Sequence, residues 1–190
     1  WLTPVVADEN CFAGSDTVEF TLRSSALYGD ALLIPAAGYA YNKTPYDEYL
    51  ILDLFTPEGL HENDSKLFGL ENEVGVRIYH VSDLMEQVVK DEGSSQLKYG
   101  MQHYTNNSDT IYSKQFGMHQ IEIVSATGKN RFTEGGNFRP EDFFTEGDRF
   151  AVEDFDEFFY NGKMDNGLAF GYEIAVTSIS QVNGEYVATI

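Results

Sequence analysis

The sequence lacks several features that define common classes of functional site. Its 190 residues include a single cysteine, Cys11, so neither an internal disulfide nor a multi-thiolate zinc site can form. Ser65 stands where the second histidine of an HExxH motif would follow His61. A glycine-rich phosphate loop and a GxSxG element are also missing. The chain itself therefore carries no motif of a zinc peptidase, a nucleotide-binding protein or a serine hydrolase.

Long apolar runs and an N-terminal leader are absent as well. No apolar stretch reaches the roughly 20 residues of a membrane-spanning helix, so we expect no membrane span. The chain opens with WLTPVV, which has neither an initiator methionine nor the basic region of a signal peptide. This opening is typical of the interior of a longer protein, and we expect the chain to be a domain excised from a larger parent.

Basic residues are scarce. The chain has 12 Lys and Arg against 31 Asp and Glu, which gives a net charge of −19. Such a surface repels nucleic acid and anionic lipid, so nucleic acid is not an expected partner. The same carboxylates attract Ca²⁺, which prefers oxygen ligands. The alternative interpretation is a solvated surface that keeps the protein soluble.

Aromatic residues and glycine are abundant. The 14 Phe, 12 Tyr and 17 Gly, with few helical patterns, favour a mostly β protein. A chain of this length can bury about 70% of the surface that it exposes when unfolded. The sequence therefore predicts one β-rich domain over residues 1–190, an antiparallel β-sandwich-like fold with one short helix and long irregular loops.

Two stretches predict the centre of the fold, DEYLILDLFTPEGL at 47–60 and GVRIYHV at 75–81. In the first, Leu50, Leu52 and Leu54 share one face, and the opposite face is also mostly apolar. This pattern is typical of a strand that is covered on both sides.

Further strands are predicted from alternating patterns, and the last two form a hairpin through the turn at Asn183-Gly184. These strands are 18–22, 31–35, 119–124, 172–180 and 186–190. The segment 82–90 has Ser82 in an N-cap position and apolar residues at helical spacing, which predicts the short helix. We expect loops at 61–73 and over a long excursion at about 91–118.

Asp53 and His80 are the polar residues of most interest in the two central stretches. A carboxylate inside a buried strand needs a donor, a cation or the sheet edge. We predict that Asp53 and His80 form a structural polar pair that fixes the strand register. An acid–base pair with a catalytic role is the alternative.

Two further sets of residues are candidate binding sites. The acidic region 142–165 lacks the twelve-residue EF-hand pattern but is the best candidate for calcium. Its predicted ligands are Asp142, Asp148, Asp154 and Asp156. Tyr39 and Tyr41 could line a surface that binds carbohydrate or protein, or could instead cover a core edge.

Seven segments together resemble the region that follows the catalytic core in immune-inhibitor-A-type secreted zinc metallopeptidases. They are WLTPVV (1–6), GDALLIP (29–35), YDEYLILDLFTPEGLHENDSK (46–66), GVRIYHVSD (75–83), HYTNNSDT (103–110), HQIEIVSATGKN (119–130) and GYEIAVTSIS (171–180). The resemblance implies that the zinc ligands and the general base lie in an upstream HExxH helix. It therefore assigns no catalytic residue here and places zinc only in that upstream domain.

The resemblance also implies a role, since the family is secreted, mainly bacterial and often calcium-bound. The chain would be an extracellular or cell-surface β-rich domain that packs against the peptidase core of the same protein or shapes its substrate cleft. Two alternatives stay open. One is a free-standing binding module that uses Tyr39 and Tyr41, and the other is an enzyme with a carboxylate–histidine site near Asp53 and His80.

Overall fold

The structure, a computed structural model, describes residues 2–7, 9–12, 14–37, 47–83, 85–90, 98–103, 119–131 and 136–190. These residues form a mostly β protein with several antiparallel sheets, short helices and loops. The strands are β1 Thr3–Val6, β2 Thr21–Arg23, β3 Asp30–Pro35, β4 Glu48–Phe55, β5 Gly75–Ser82, β6 Met85–Lys90, β7 Lys98–His103, β8 Ile121–Val124, β9 Arg149–Phe150, β10 Ile174–Ala175, β11 Ser178–Val182 and β12 Glu185–Thr189. The helices are α1 Ser25–Tyr28 and α2 Glu62–Phe68, with 3-10 turns at Glu9–Phe12, Gly59–His61, Pro140–Asp142, Val152–Asp154 and Tyr160–Gly162.

The largest sheet has five strands in the order β1-β3-β4-β5-β8. All of its pairs are antiparallel except β1 with β3, which is parallel. The predicted central pair is confirmed, because β4 and β5 pair along their whole length, from Glu48 opposite Ser82 to Phe55 opposite Gly75.

Three smaller sheets complete the described structure. They have the strand orders β11-β12-β2, β9-β10 and β6-β7. The predicted hairpin turn is confirmed between β11 and β12, and both of its turn residues, Asn183 and Gly184, have positive φ angles of 56° and 89°. The predicted strand 172–180 is divided, because Ile174–Ala175 pairs with β9 and Ser178–Val182 pairs with β12. Asn and Gly adopt this conformation readily, which is why they favour tight hairpin turns. Within the described ranges, no helix has the length and apolar character that crossing a membrane requires.

The helices lie elsewhere than predicted. The expected helix at 82–90 is wrong, since Ser82 ends β5 and Met85–Lys90 is a strand paired with Lys98–His103. Pairing with another strand overrides a helical spacing that includes the β-branched Val88 and Val89. The second strand, β7, runs through the predicted excursion at 91–118, whose other residues lie outside the described part of the chain.

Helix α2 forms where the sequence predicted a loop. It has acidic Glu62 and Asp64 in its first turn and Lys66 in its last turn, which suits the helix dipole. Gly69 ends it in the left-handed conformation.

Phenylalanines cover one face of the five-stranded sheet. The face that carries Leu50, Leu52 and Ile78 belongs to the same buried cluster as Phe residues from the segment 144–170. The ring of Phe150 is central to that layer. Its centroid lies 4.8 Å from that of Phe155, 5.8 Å from Phe159 and 6.1 Å from Phe144.

We expect Phe150→Ala to destabilise the protein by about 3–5 kcal/mol, because it opens a cavity where four rings meet. Urea unfolding measures the change. The matched control is Leu67→Ala, a deletion at a side chain that is 74% exposed, which should stay within about 0.5 kcal/mol of the parent. Equal losses in the two variants would contradict the description of this layer as the core.

Candidate functional site

The end of the β4–β5 pair places polar side chains on the core face of the sheet. Directly opposite residues share a face, so Glu48 and Ser82 form one row, and His80 and Glu122 form part of the next. This face otherwise carries buried aliphatic residues such as Leu50. The result is a polar patch that continues an apolar core.

His80 is the centre of this patch and is fully buried, with an exposure of 0%. Its Nε2 atom lies 2.8 Å from Oε1 of Glu48, and its Nδ1 atom lies 3.7 Å from Oε1 of Glu122. The two carboxylates are themselves 2% and 7% exposed. The ring of Phe159 covers the imidazole at a centroid distance of 4.7 Å.

A loop from a distant part of the chain closes over the patch. The backbone N–H groups of Asp165 and Asn166 donate to the two oxygens of Glu48, at 2.6 and 3.0 Å. The side chain of Asn166 also donates to the carbonyl of Ala37, at 2.9 Å. Glu48 therefore joins the start of β4 to this loop, and the carboxyl group of Asp165 joins the cluster.

Charge and burial shift the pKa of two members. Burial alone would lower the pKa of His80, but the carboxylates of Glu122 and Glu48 more than offset this and raise it to about 10. Burial raises the pKa of Asp165 to about 6, and the nearby His80 opposes that rise. At neutral pH the imidazole is thus a cation between carboxylates, which suits it to hold charge rather than to cycle a proton near pH 7.

Several polar atoms of this cluster have no hydrogen-bond partner. They are Nδ1 of His80, Oγ of Ser82, Oε1 of Glu122 and Oδ2 of Asp165. The other oxygen of Glu122 accepts from the side-chain amide of Asn130 at 2.9 Å. Ligand atoms of Glu48, His80 and Asp165 all lie within 4.8 Å of one another. Among the residues that the structure describes, this is the set with the spacing of metal ligands.

The predicted pair of Asp53 with His80 is not formed. In the register of β4 and β5, Asp53 lies opposite Arg77 and His80 lies opposite Leu50. Because side chains alternate along a strand, Asp53 and His80 point to opposite faces of the sheet. Asp53 accepts from Nε of Arg77 at 2.9 Å, from its Nη2 at 2.5 Å and from the hydroxyl of Ser25 at 2.6 Å.

The four predicted calcium ligands do not form a set with metal-ligand spacing. Asp142 is buried and accepts from Arg131 and from the backbone N–H of Arg139, so it closes a 3-10 turn. Asp148 accepts from the backbone and hydroxyl of Thr145. The other two predicted ligands are exposed, and they are Asp154 and Asp156.

The remaining residues of interest in the sequence are two tyrosines, the single cysteine and His61. Tyr39 and Tyr41 lie outside the described residues. The thiol of Cys11 lies 3.5 Å from the carbonyl of Val6. His61 stacks on Phe55 with the ring centroids 4.8 Å apart.

Sequence reasoning missed the roles of Glu48 and Glu122. Glu48 is in phase with Leu50 on the core face of β4, and that phase was a usable signal. In β8 the charged residue Glu122 is buried whereas the apolar residue Ile121 is exposed, which is the reverse of what their hydrophobicity predicts. The position of His80 opposite Glu122 and the amide of Asn130, which donates to Glu122, explain this reversal.

Comparisons of the chain with protein-family models, with curated proteins and with solved structures gave no match. The function proposed below therefore rests on the chemistry and placement of the chain's own residues and on the resemblance of its segments described above.

We expect Glu48→Gln to lower the free energy of unfolding by about 3 kcal/mol, because it removes the charge that His80 meets in a dry core. The control is Glu62→Gln, at an exposed carboxylate paired with Lys66, which should change the free energy of unfolding far less because solvent screens the pair. Chemical denaturation compares the two. If Glu48→Gln were as mild as the control, the buried ion pair would not stabilise the fold.

His61 supports a pH prediction because its environment selects the neutral ring. Nδ1 donates to the carbonyl of Thr56 and Nε2 accepts from Arg77, both at 3.2 Å. Burial and the charge of Arg77 lower the pKa of His61. The stabilisation from this group is therefore complete above the ordinary His pKa of about 6.5, and it is lost as the pH falls through the lowered folded value.

The corresponding test compares wild type with His61→Phe by denaturant unfolding between about pH 5 and 7.5. We expect the wild type to lose stability relative to the variant as the pH falls. A constant difference across this range would show that His61 does not titrate differently in the folded and unfolded states.

Proposed function

We propose that this chain is a non-catalytic β-rich domain of a secreted metallopeptidase-like protein and that it packs against the peptidase core of that protein. The observation that carries the proposal is the enclosure of His80. An acid–base residue must reach a substrate, whereas this imidazole is fully buried under Phe159 and between carboxylates. The cluster thus serves the interior of the domain.

The placement of the resembling segments also supports this proposal. They supply all five strands of the large sheet, together with β10 and the first part of β11. The likeness to immune-inhibitor-A-type peptidases is thus a likeness of the sheet strands, with the catalytic helix expected upstream.

A candidate packing face lies beside α1 and α2. Leu60 and Leu67 are each 74% exposed. Phe68 follows Leu67 in the chain and is also exposed. The exposed side chain of Leu27 lies against Gly59, the residue before Leu60. Contiguous exposed apolar side chains mark surfaces that another protein covers. We propose that this apolar face, defined by Leu27, Leu60, Leu67 and Phe68, contacts the peptidase core.

The test uses the parent protein, extended upstream by about one domain of 100–200 residues. We expect an HExxH motif there, zinc-dependent peptide hydrolysis by the parent, and no hydrolysis by residues 1–190 alone. In the parent protein, the double variant Leu60→Glu/Leu67→Glu should weaken the contact between the peptidase domain and this domain. Calorimetry should then show two unfolding transitions, one for each domain. The control Val182→Glu, at an exposed residue of the hairpin, should leave a single transition. Hydrolysis by the isolated chain, or an upstream region without the motif, would contradict the proposal.

The second candidate function is that of a binding module, and the observation that supports it is a surface groove. It has a volume of about 710 Å³ and is lined in part by Phe12, Tyr172, Arg149 and Glu173. The rings of Phe12 and Tyr172 stack at 5.4 Å, and aromatic faces beside charged groups suit sugar rings or peptide side chains.

Glycan-array binding by the purified chain tests this second candidate. A binding module should lose its signal in Tyr172→Ala, or in Tyr39→Ala/Tyr41→Ala if the tyrosine segment is the surface. Tyr160→Ala, at an exposed ring outside the groove lining, is the control. No glycan signal above background in the wild type would remove the carbohydrate-binding form of this candidate.

A further inference from the structure

We propose that the buried cluster binds one divalent transition-metal ion of the zinc class, with Nε2 of His80 and carboxylate oxygens of Glu48 and Asp165 as its ligands. This site lies within residues 1–190 and does not depend on the function proposed above.

The first support is the geometry of the three donors. Their ligand atoms already lie within 4.8 Å of one another. Four-coordinate zinc with bonds of about 2.0–2.2 Å holds its ligands roughly 3.3–3.6 Å apart, so only a small adjustment brings these atoms into range. Two donors stand on adjacent strands and the third is fixed by the backbone of Asp165, which donates to Glu48. The set is therefore largely formed by the fold.

The second support is independent of the carboxylate count and comes from unpartnered buried atoms. Ser82 is fully buried, yet its Oγ has no hydrogen-bond partner. Oδ2 of Asp165 is likewise without one. An unsatisfied buried polar atom costs free energy, so these two atoms in the cluster indicate a ligand there.

The third support is charge. The cluster contains three carboxyl groups, those of Glu48, Glu122 and Asp165, against the one imidazole of His80. Buried charges are ordinarily paired or coordinate a metal. A divalent cation supplies more positive charge than the proton it replaces.

The donor types select the class of cation. An imidazole nitrogen with carboxylate oxygens is a donor set that Zn²⁺ accepts. Ca²⁺ and Mg²⁺ prefer sets made only of oxygen, and the imidazole disfavours them.

Glu122 has the position of a supporting residue rather than a ligand. With the metal on Nε2, the Nδ1–H group of His80 points to Oε1 of Glu122, now 3.7 Å away. The other oxygen of Glu122 is fixed by Asn130. Such carboxylate–histidine–metal chains orient the ring and strengthen the ligand.

The experiment uses chelator-treated protein, residues 1–190, with ZnCl₂, CaCl₂ and MgCl₂ as separate probes. We expect one zinc per chain by elemental analysis after desalting, and a melting temperature that rises with Zn²⁺ but not with Ca²⁺ or Mg²⁺ at the same concentration. Co²⁺ in place of zinc should give visible absorption bands that report its ligands directly.

The variants separate this site from adventitious binding. Asp165→Asn should weaken zinc binding at least about tenfold and change the Co²⁺ spectrum. Asp165 is only partly buried and lies in a loop, so this variant is expected to fold, which circular dichroism verifies. Asp156→Asn removes the same charge at an exposed position and should bind like the wild type.

Three outcomes would overturn the proposal. The first is no zinc retained and no zinc-dependent melting shift in the wild type, which would leave a purely internal ion-pair network. The second is zinc binding that falls equally, or not at all, in the two variants. The third is a melting shift with Ca²⁺ as large as with Zn²⁺ and dependent on Asp165, which would assign the site to a different class of cation.

Discussion

The register of β4 against β5 is the constraint on which the rest of the structure depends. It places His80 on the core face beside Glu48 and opposite Glu122, and it places Asp53 opposite Arg77 on the other face. A shift by one residue would exchange the faces of every side chain in a strand. The aliphatic core and both buried ion pairs would be lost together, so polar and apolar residues specify the same pairing.

Glu48 connects this central pair to the remainder of the fold. Its two oxygens accept hydrogen bonds from the imidazole of His80 and from the backbone N–H groups of Asp165 and Asn166. The loop at 165–166, within the segment that supplies the phenylalanine layer, is thereby attached to the sheet on the same side as that layer. A metal ion held by Glu48, His80 and Asp165 would reinforce this attachment. It would also add positive charge to a cluster that has three carboxyl groups and one imidazole.

The sequence predicts what is local and misses what depends on distant pairing. The central strands and the Asn183-Gly184 hairpin follow from alternation and turn chemistry within short windows. The strand at Met85–Lys90 does not, because its state is decided by pairing with Lys98–His103. The prediction of an Asp53–His80 pair is wrong because the sequence alone does not show which residues of the two strands lie opposite each other. The contact of Glu48 with Asp165 spans 117 positions in the chain, and no spacing rule reaches that far.

We infer that the hydrogen bonds of Glu48 hold the loop at 165–166 against the sheet, beside the buried His80. Native-state hydrogen exchange of individual backbone amides tests this claim most directly. We expect the amides of Asp165 and Asn166 to exchange as slowly as those in the centre of β4 and β5, since their opening requires breaking hydrogen bonds to the buried carboxylate of Glu48. Exchange of these two amides at the rate of an exposed loop would contradict it.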